Sequence, residues 1–134
     1  MDLVAIREAL AEQIRTETLL PVLEKPEGSI PGPSVLMGPP SVTYDQDFKG
    51  GATVAWPLVV VVPRSHPDYL TTLANILSTG GVDDQSIPDA IDADAPASAV
   101  ADYWRVTDSE AWTDLEVGNV SYWSATVNVE VMVS

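Results

Sequence analysis

Residues 123–133 alternate almost strictly: Trp123, Ala125, Val127, Val129, Val131 and Val133 are apolar or small. Between them and just before them lie Tyr122, Ser124, Thr126, Asn128, Glu130 and Met132, most of them polar. Strand side chains alternate between faces, so this pattern predicts a long strand with one face on a core and the other in a wetter setting. Residues 2–16 carry a different period. Leu3, Ile6, Leu10 and Ile14 fall on one helical stripe, with Glu8, Glu12 and Arg15 off it. Asp2 is placed to cap that helix and to meet the positive end of its dipole.

Between these ends the pattern predicts further elements. Pro21 starts an extended stretch, and the Pro- and Gly-rich segment to Pro40 reads as a loop with a short strand at Val35-Leu36-Met37. Val42 to Phe48 alternates as a half-buried strand, and Lys49-Gly50-Gly51 suits a hairpin into the next one. Thr53 to Val62 ends in Leu58-Val59-Val60-Val61-Val62, a run suited to burial on both faces. Pro57 within it has no N–H, which predicts a bulge or an unpaired side. Ser65-His66-Pro67-Asp68 reads as the start of a helix with Ser65 as N-cap, a buried stripe of Leu70, Leu73, Ile76 and Leu77, and a stop at Gly80-Gly81. Ser86-Ile87-Pro88-Asp89 opens a short helix within an acidic, mobile loop over 82–98. Ala101 to Val106 and Trp112 to Val117 are strands, separated by a turn at Asp108–Ala111, and Gly118-Asn119 turns into the final strand. The expected fold is α+β: an antiparallel sheet with two to three helices packed on one face.

Composition narrows the class. The chain has 134 residues, enough for one domain spanning 1–134, and 46% hydrophobic content with four Trp argues for a packed core despite eleven Pro. No cysteine is present, which removes disulfides and thiolate chemistry. The start lacks a basic leader and no apolar run reaches membrane-spanning length, so the expectation is a cytosolic product with no membrane association.

Charge changes the picture most. Twenty acids against six Lys and Arg give −14, and ten of the acids lie between Asp83 and Glu116, where Arg105 is the only base. Such a chain is expected to repel phosphate backbones, which are bound through Lys and Arg. Asp45, Asp47, Asp83, Asp84, Asp89, Asp92 and Asp94 are the acids expected on exposed loops, at a channel wall or a ring face. The ordinary role of such acids is a solvated face that favours solubility.

Candidate chemistry is thin. His66 beside Ser65 and Asp68 suits a helix cap better than a triad, because three neighbours at a cap do not converge. The Asp pairs lack the loop Gly and terminal bidentate Glu of a calcium site, and the Gly pairs lack the Lys of a phosphate cradle. Glu8 and Glu12 read as a solvated helix face, and the tryptophans as core or subunit contacts. The chain is therefore expected to be no enzyme, with no catalytic, cofactor or metal residues.

Three segments, taken together, resemble the tail terminator (tail completion) proteins of long-tailed phages, especially those infecting actinobacteria. They are the Met1–Leu10 helix, the Trp56–Val62 strand leading into Ser65-His66-Pro67-Asp68, and Leu115-Glu116-Val117-Gly118-Asn119-Val120-Ser121-Tyr122-Trp123 with its Val-rich continuation. The resemblance implies a structural virion protein at the head–tail junction, assembled in the host cytoplasm. It implies a homohexameric ring that caps the tube of major tail protein, ends its polymerisation and meets the head–tail stopper or connector protein. Genomic DNA would pass through without specific binding. The alternatives are another head–tail connector protein and, from a different class, an acidic DNA-mimic inhibitor.

Overall fold

The computed structural model describes residues 1–23, 30, 32–44, 51–79, 86–110, 113–117 and 119–133. Among them are three helices and a mostly antiparallel mixed sheet of seven strands, an α+β fold as the sequence leads one to expect.

Helix α1 spans Leu3–Glu17. The Asp2 carboxylate accepts the Val4 and Ala5 amides at 3.0 and 3.2 Å, satisfying two of the donors that a helix start leaves open. Ile6, Leu10 and Ile14 are fully buried. At the far end the buried Thr18 hydroxyl donates to the Ile14 carbonyl at 2.6 Å and accepts the Leu20 amide at 3.2 Å, so one side chain ends the helix and steers the chain onward. Strand β1 (Val22–Leu23) follows Pro21 and pairs parallel with β2 (Ser34–Met37).

Strand β3 (Ser41–Tyr44) leads to β4 (Ala52–Pro63), one of two long central strands. The other is β7 (Val120–Val133), and the two pair without interruption from Ala52↔Val133 to Pro63↔Tyr122. On its other side β4 holds β3 along Ala52–Ala55 and β2 along Leu58–Val61. Pro57 falls between those two partners, where its missing N–H removes no ladder bond, and its carbonyl takes the Gly38 amide at 2.8 Å. Gly38 is required there: a Cβ on it would lie 2.8 Å from the Pro57 ring. Strand β7 is flanked in the same way by β5 (Tyr103–Ser109) and β6 (Thr113–Val117), with a bulge in β5 between Val106 and Asp108. Val117 pairs with Val120, and Asn119 between them takes a left-handed φ of 67°, which Asn tolerates.

Helices α2 (Tyr69–Leu77) and α3 (Ile87–Ala93) join α1 on one face of the sheet. Their Leu73, Ile76, Ile87 and Ile91 meet Val54, Trp56, Leu58 and Val60 of β4 and Val127, Val129 and Val131 of β7 in the main core, with Val133 half-buried against it. Ser86 caps α3, accepting the Asp89 amide at 3.2 Å.

Three expectations are corrected. Helix α2 begins at Tyr69, and Ser65 is not its N-cap. Strand β4 is still paired at Pro63, and the chain reverses through residues 64–68 with the His66 amide on the Pro63 carbonyl at 3.0 Å. Asp68 occupies the N-cap position in a left-handed conformation (φ 57°) without a side-chain cap bond, so the cap role expected around His66 is absent too. The buried stripe shifts accordingly to Leu73 and Ile76 with Tyr69 and Leu77 beside them, and Leu70, one residue out of phase, is 46% exposed. Finally, Tyr44 is 69% exposed, because β3 lies at the sheet margin. The remainder of the expected 42–48 strand, the Lys49-Gly50 turn and the Gly80-Gly81 stop lie outside the described residues.

Candidate functional site

With the helices on one side, the other face of the sheet divides into two zones. At the end near Pro63, Val61 and Tyr122 are fully buried beneath Ile30, with Leu23, Leu36, Val59 and Leu115 packed around them. The Tyr122 hydroxyl accepts the Ile30 amide at 2.8 Å. An even-numbered β7 position expected on a wetter face is thus the centre of a second small core. Ile30, remote in sequence, covers it, and no local pattern announces that.

The opposite end of this face is polar. Arg105 bonds Glu130 across the strands at 3.3 Å. Asn128 donates to Asp108 at 2.8 Å, and the Thr107 hydroxyl donates to the Asn128 carbonyl at 3.2 Å. Thr53 lies against the Met132 sulfur at 3.1 Å. These cross-strand partners hold the polar side chains in a fixed array on an open face.

The acids singled out by sequence separate into two groups. Asp89 and Asp92 sit on α3, not on a loop, and Asp94 is its C-cap residue; Asp92 and Asp94 are exposed. Asp45, Asp47, Asp83 and Asp84 lie outside the described residues. Of the mobile loop expected over 82–98, the part among the described residues, from Ser86 on, is instead tied down. Ile87, Ala90 and Ile91 are buried, Gln13 donates to the Ala90 carbonyl at 2.8 Å, and the Trp104 indole donates to the carbonyls of Ile91 and Asp94 at 3.0 Å each.

Two arginines were missed as structural devices. The Arg64 guanidinium lies 4.5 Å from the centre of the Trp123 ring and pairs with Asp114, while Tyr69 stacks on the same ring at 5.9 Å with 6° between planes. The end of β4, the β6–β7 hairpin and α2 are joined there. Arg15 donates to the Val22 carbonyl at 3.2 Å, covering the outer side of the two-residue strand β1. Beside it is a shallow cavity of about 260 Å³ between α1 and the sheet, lined by Arg7, Glu8, Ala11, Glu12, Arg15 and others. It mixes both charge signs.

Among the described residues no group of three or more His, Cys, Asp or Glu is placed to hold a metal ion. No helix among them is long and apolar enough to cross a membrane. No family model matches this chain, and no curated protein matches it.

Proposed function

We propose that this chain is the ring-forming subunit of a phage tail terminator, closing the tail tube and joining it to the head-completion proteins. The observation that carries the reading is the layering of the fold. All three described helices back one face of the sheet, while one end of the other face presents an ordered polar array, and β3 and β5 pair on one side only among the described residues. A subunit built this way has a rigid wall for a passage and lateral surfaces for its neighbours. The resemblance of three ordered segments to tail terminators names the setting.

Charge supports the same reading. With −14 per copy, a ring of such subunits surrounds its passage with negative potential, and a moving phosphate backbone meets few cations that would hold it. Asp89, Asp92 and Asp94, with Asp45, Asp47, Asp83 and Asp84, are the proposed contributors at the passage or a ring face. The partners under this reading are further copies of the chain, the major tail protein and the stopper or connector protein. The alternative within the same class is a neighbouring connector.

A direct test is tube growth. Major tail protein of the same phage, polymerising in vitro, should stop elongating when the purified chain is added in substoichiometric amounts, and electron micrographs should show caps at one tube end. Growth to the same length distribution with the chain present would contradict the terminator reading.

A further inference from the structure

The two lateral margins of the sheet match each other. Reading across the pairings gives complete four-strand rows: Thr43–Thr53–Met132–Tyr103, then Val42–Val54–Val131–Trp104, then Ser41–Ala55–Glu130–Arg105. Strand β3 on one margin and the first residues of β5 on the other therefore stand level at the same end of the sheet. Strand β3 has four residues, and β5 runs in regular register for four, Tyr103–Val106, before its bulge. Bulges end regular pairing, and within those limits three positions stand level, Ser41–Thr43 against Tyr103–Arg105.

Direction agrees as well. The pairs β3–β4, β4–β7 and β7–β5 are all antiparallel, so the two marginal strands run in opposite senses. Rotation about an axis along the strands preserves those senses. A second copy placed that way sets its β3 antiparallel to the β5 of the first, with no axial displacement.

Edge strands attract other strands unless charge, bulges, short length or a cover prevents it. Here the other margins are guarded: β1 is two residues long with Arg15 on its outer carbonyl, and β6 carries Asp114 and Glu116. Ser41–Tyr44 carries no ionised side chain, and Tyr103–Val106 carries only Arg105. On a molecule of charge −14, these are stretches where two copies meet without opposing acids, and one of them brings a cation to an acidic partner. Each also holds an exposed aromatic, Tyr44 and Tyr103, of the kind that interfaces concentrate.

We infer that copies of this chain join head to tail by antiparallel pairing of Ser41–Thr43 in β3 of one copy with Tyr103–Arg105 in β5 of the next, continuing the sheet from subunit to subunit. The inference rests on the ring reading above and gives it a specific contact. Such a contact is heterologous, since each copy offers two different edges, and it closes a ring when the rotation per copy divides the circle.

The absence of native cysteine makes the test clean. In the double variant Thr43→Cys/Tyr103→Cys, the two thiols of neighbouring copies would lie across one strand pair, where the Cα separation suits a disulfide. Mild oxidation should give a covalent ladder on a non-reducing gel, rising to the oligomer size found by native mass measurement, while each single variant stops at dimers. The control Thr43→Cys/Ser109→Cys moves one thiol six residues along β5, about 20 Å, and should give no ladder. A ring by native mass with no ladder, or with an equal ladder in the control, overturns the edge pairing and leaves the ring standing. A single-subunit mass for the unaltered chain at every concentration, without a ladder in the double variant, overturns both.

Discussion

The hydroxyl of Tyr122 accepts the backbone amide of Ile30 at 2.8 Å, across 92 residues of sequence and on the side of the sheet without helices. Both residues are buried, so the bond satisfies a donor that water cannot reach. Tyr122→Phe leaves that amide unpaired and should lower stability by about 1–3 kcal/mol, measured by chemical denaturation. Tyr122→Ala also empties the second core and should lower it by about 3–5 kcal/mol. A Phe variant indistinguishable from the parent would mean that this bond does not hold Ile30 in place.

The two buried tryptophans should respond differently to the same change. Trp104 donates to two carbonyls that end α3, whereas the Trp56 indole nitrogen is buried with no hydrogen-bond partner among the described residues. Trp104→Phe therefore breaks two bonds and should be more destabilising than Trp56→Phe, by about 1–2 kcal/mol. The reverse order in parallel urea titrations would contradict these assignments.

Helix α2 offers a comparison between neighbouring residues. Leu73→Ala removes a fully buried side chain and should cost about 2–5 kcal/mol. Leu70→Ala, at a position that is largely solvent-facing, should change stability by less than about 1 kcal/mol. Equal losses in melting experiments would restore Leu70 to the core stripe.

Val129→Asp places a carboxylate on β7 within the main core between the sheet and the helices. Burial of an unpaired charge costs several kcal/mol, about half or more of the whole stability of an ordinary domain. The variant should be largely unfolded by circular dichroism at room temperature. A cooperative melt near that of the parent would show that β7 presents its other face to the core.

What the sequence disclosed, and what it concealed, follows the range of the interactions. Helix α1, the capping by Asp2 and Ser86, the burial of the Leu58–Val62 run of β4 and the odd-numbered core face of β7 depend on period and on neighbours a few residues away. All four were legible. The start of α2 was not, because the pairing of Pro63 with Tyr122 carries β4 further than the Ser-His-Pro-Asp signature suggests. The second core was hidden for a similar reason: its lid, Ile30, comes from a Pro-rich segment with no period of its own. For the proposed site, the acidic balance was visible at once. The level alignment of β3 with β5 emerged only when the pairings through both central strands were known.

The central claim is that this chain ends the tail tube, and particles assembled in its absence test it most directly. Electron micrographs of lysates from phage lacking the protein should show DNA-filled heads and, apart from them, unjoined tails of abnormal or uncontrolled length. Tails of normal length attached to heads in those lysates would contradict the account.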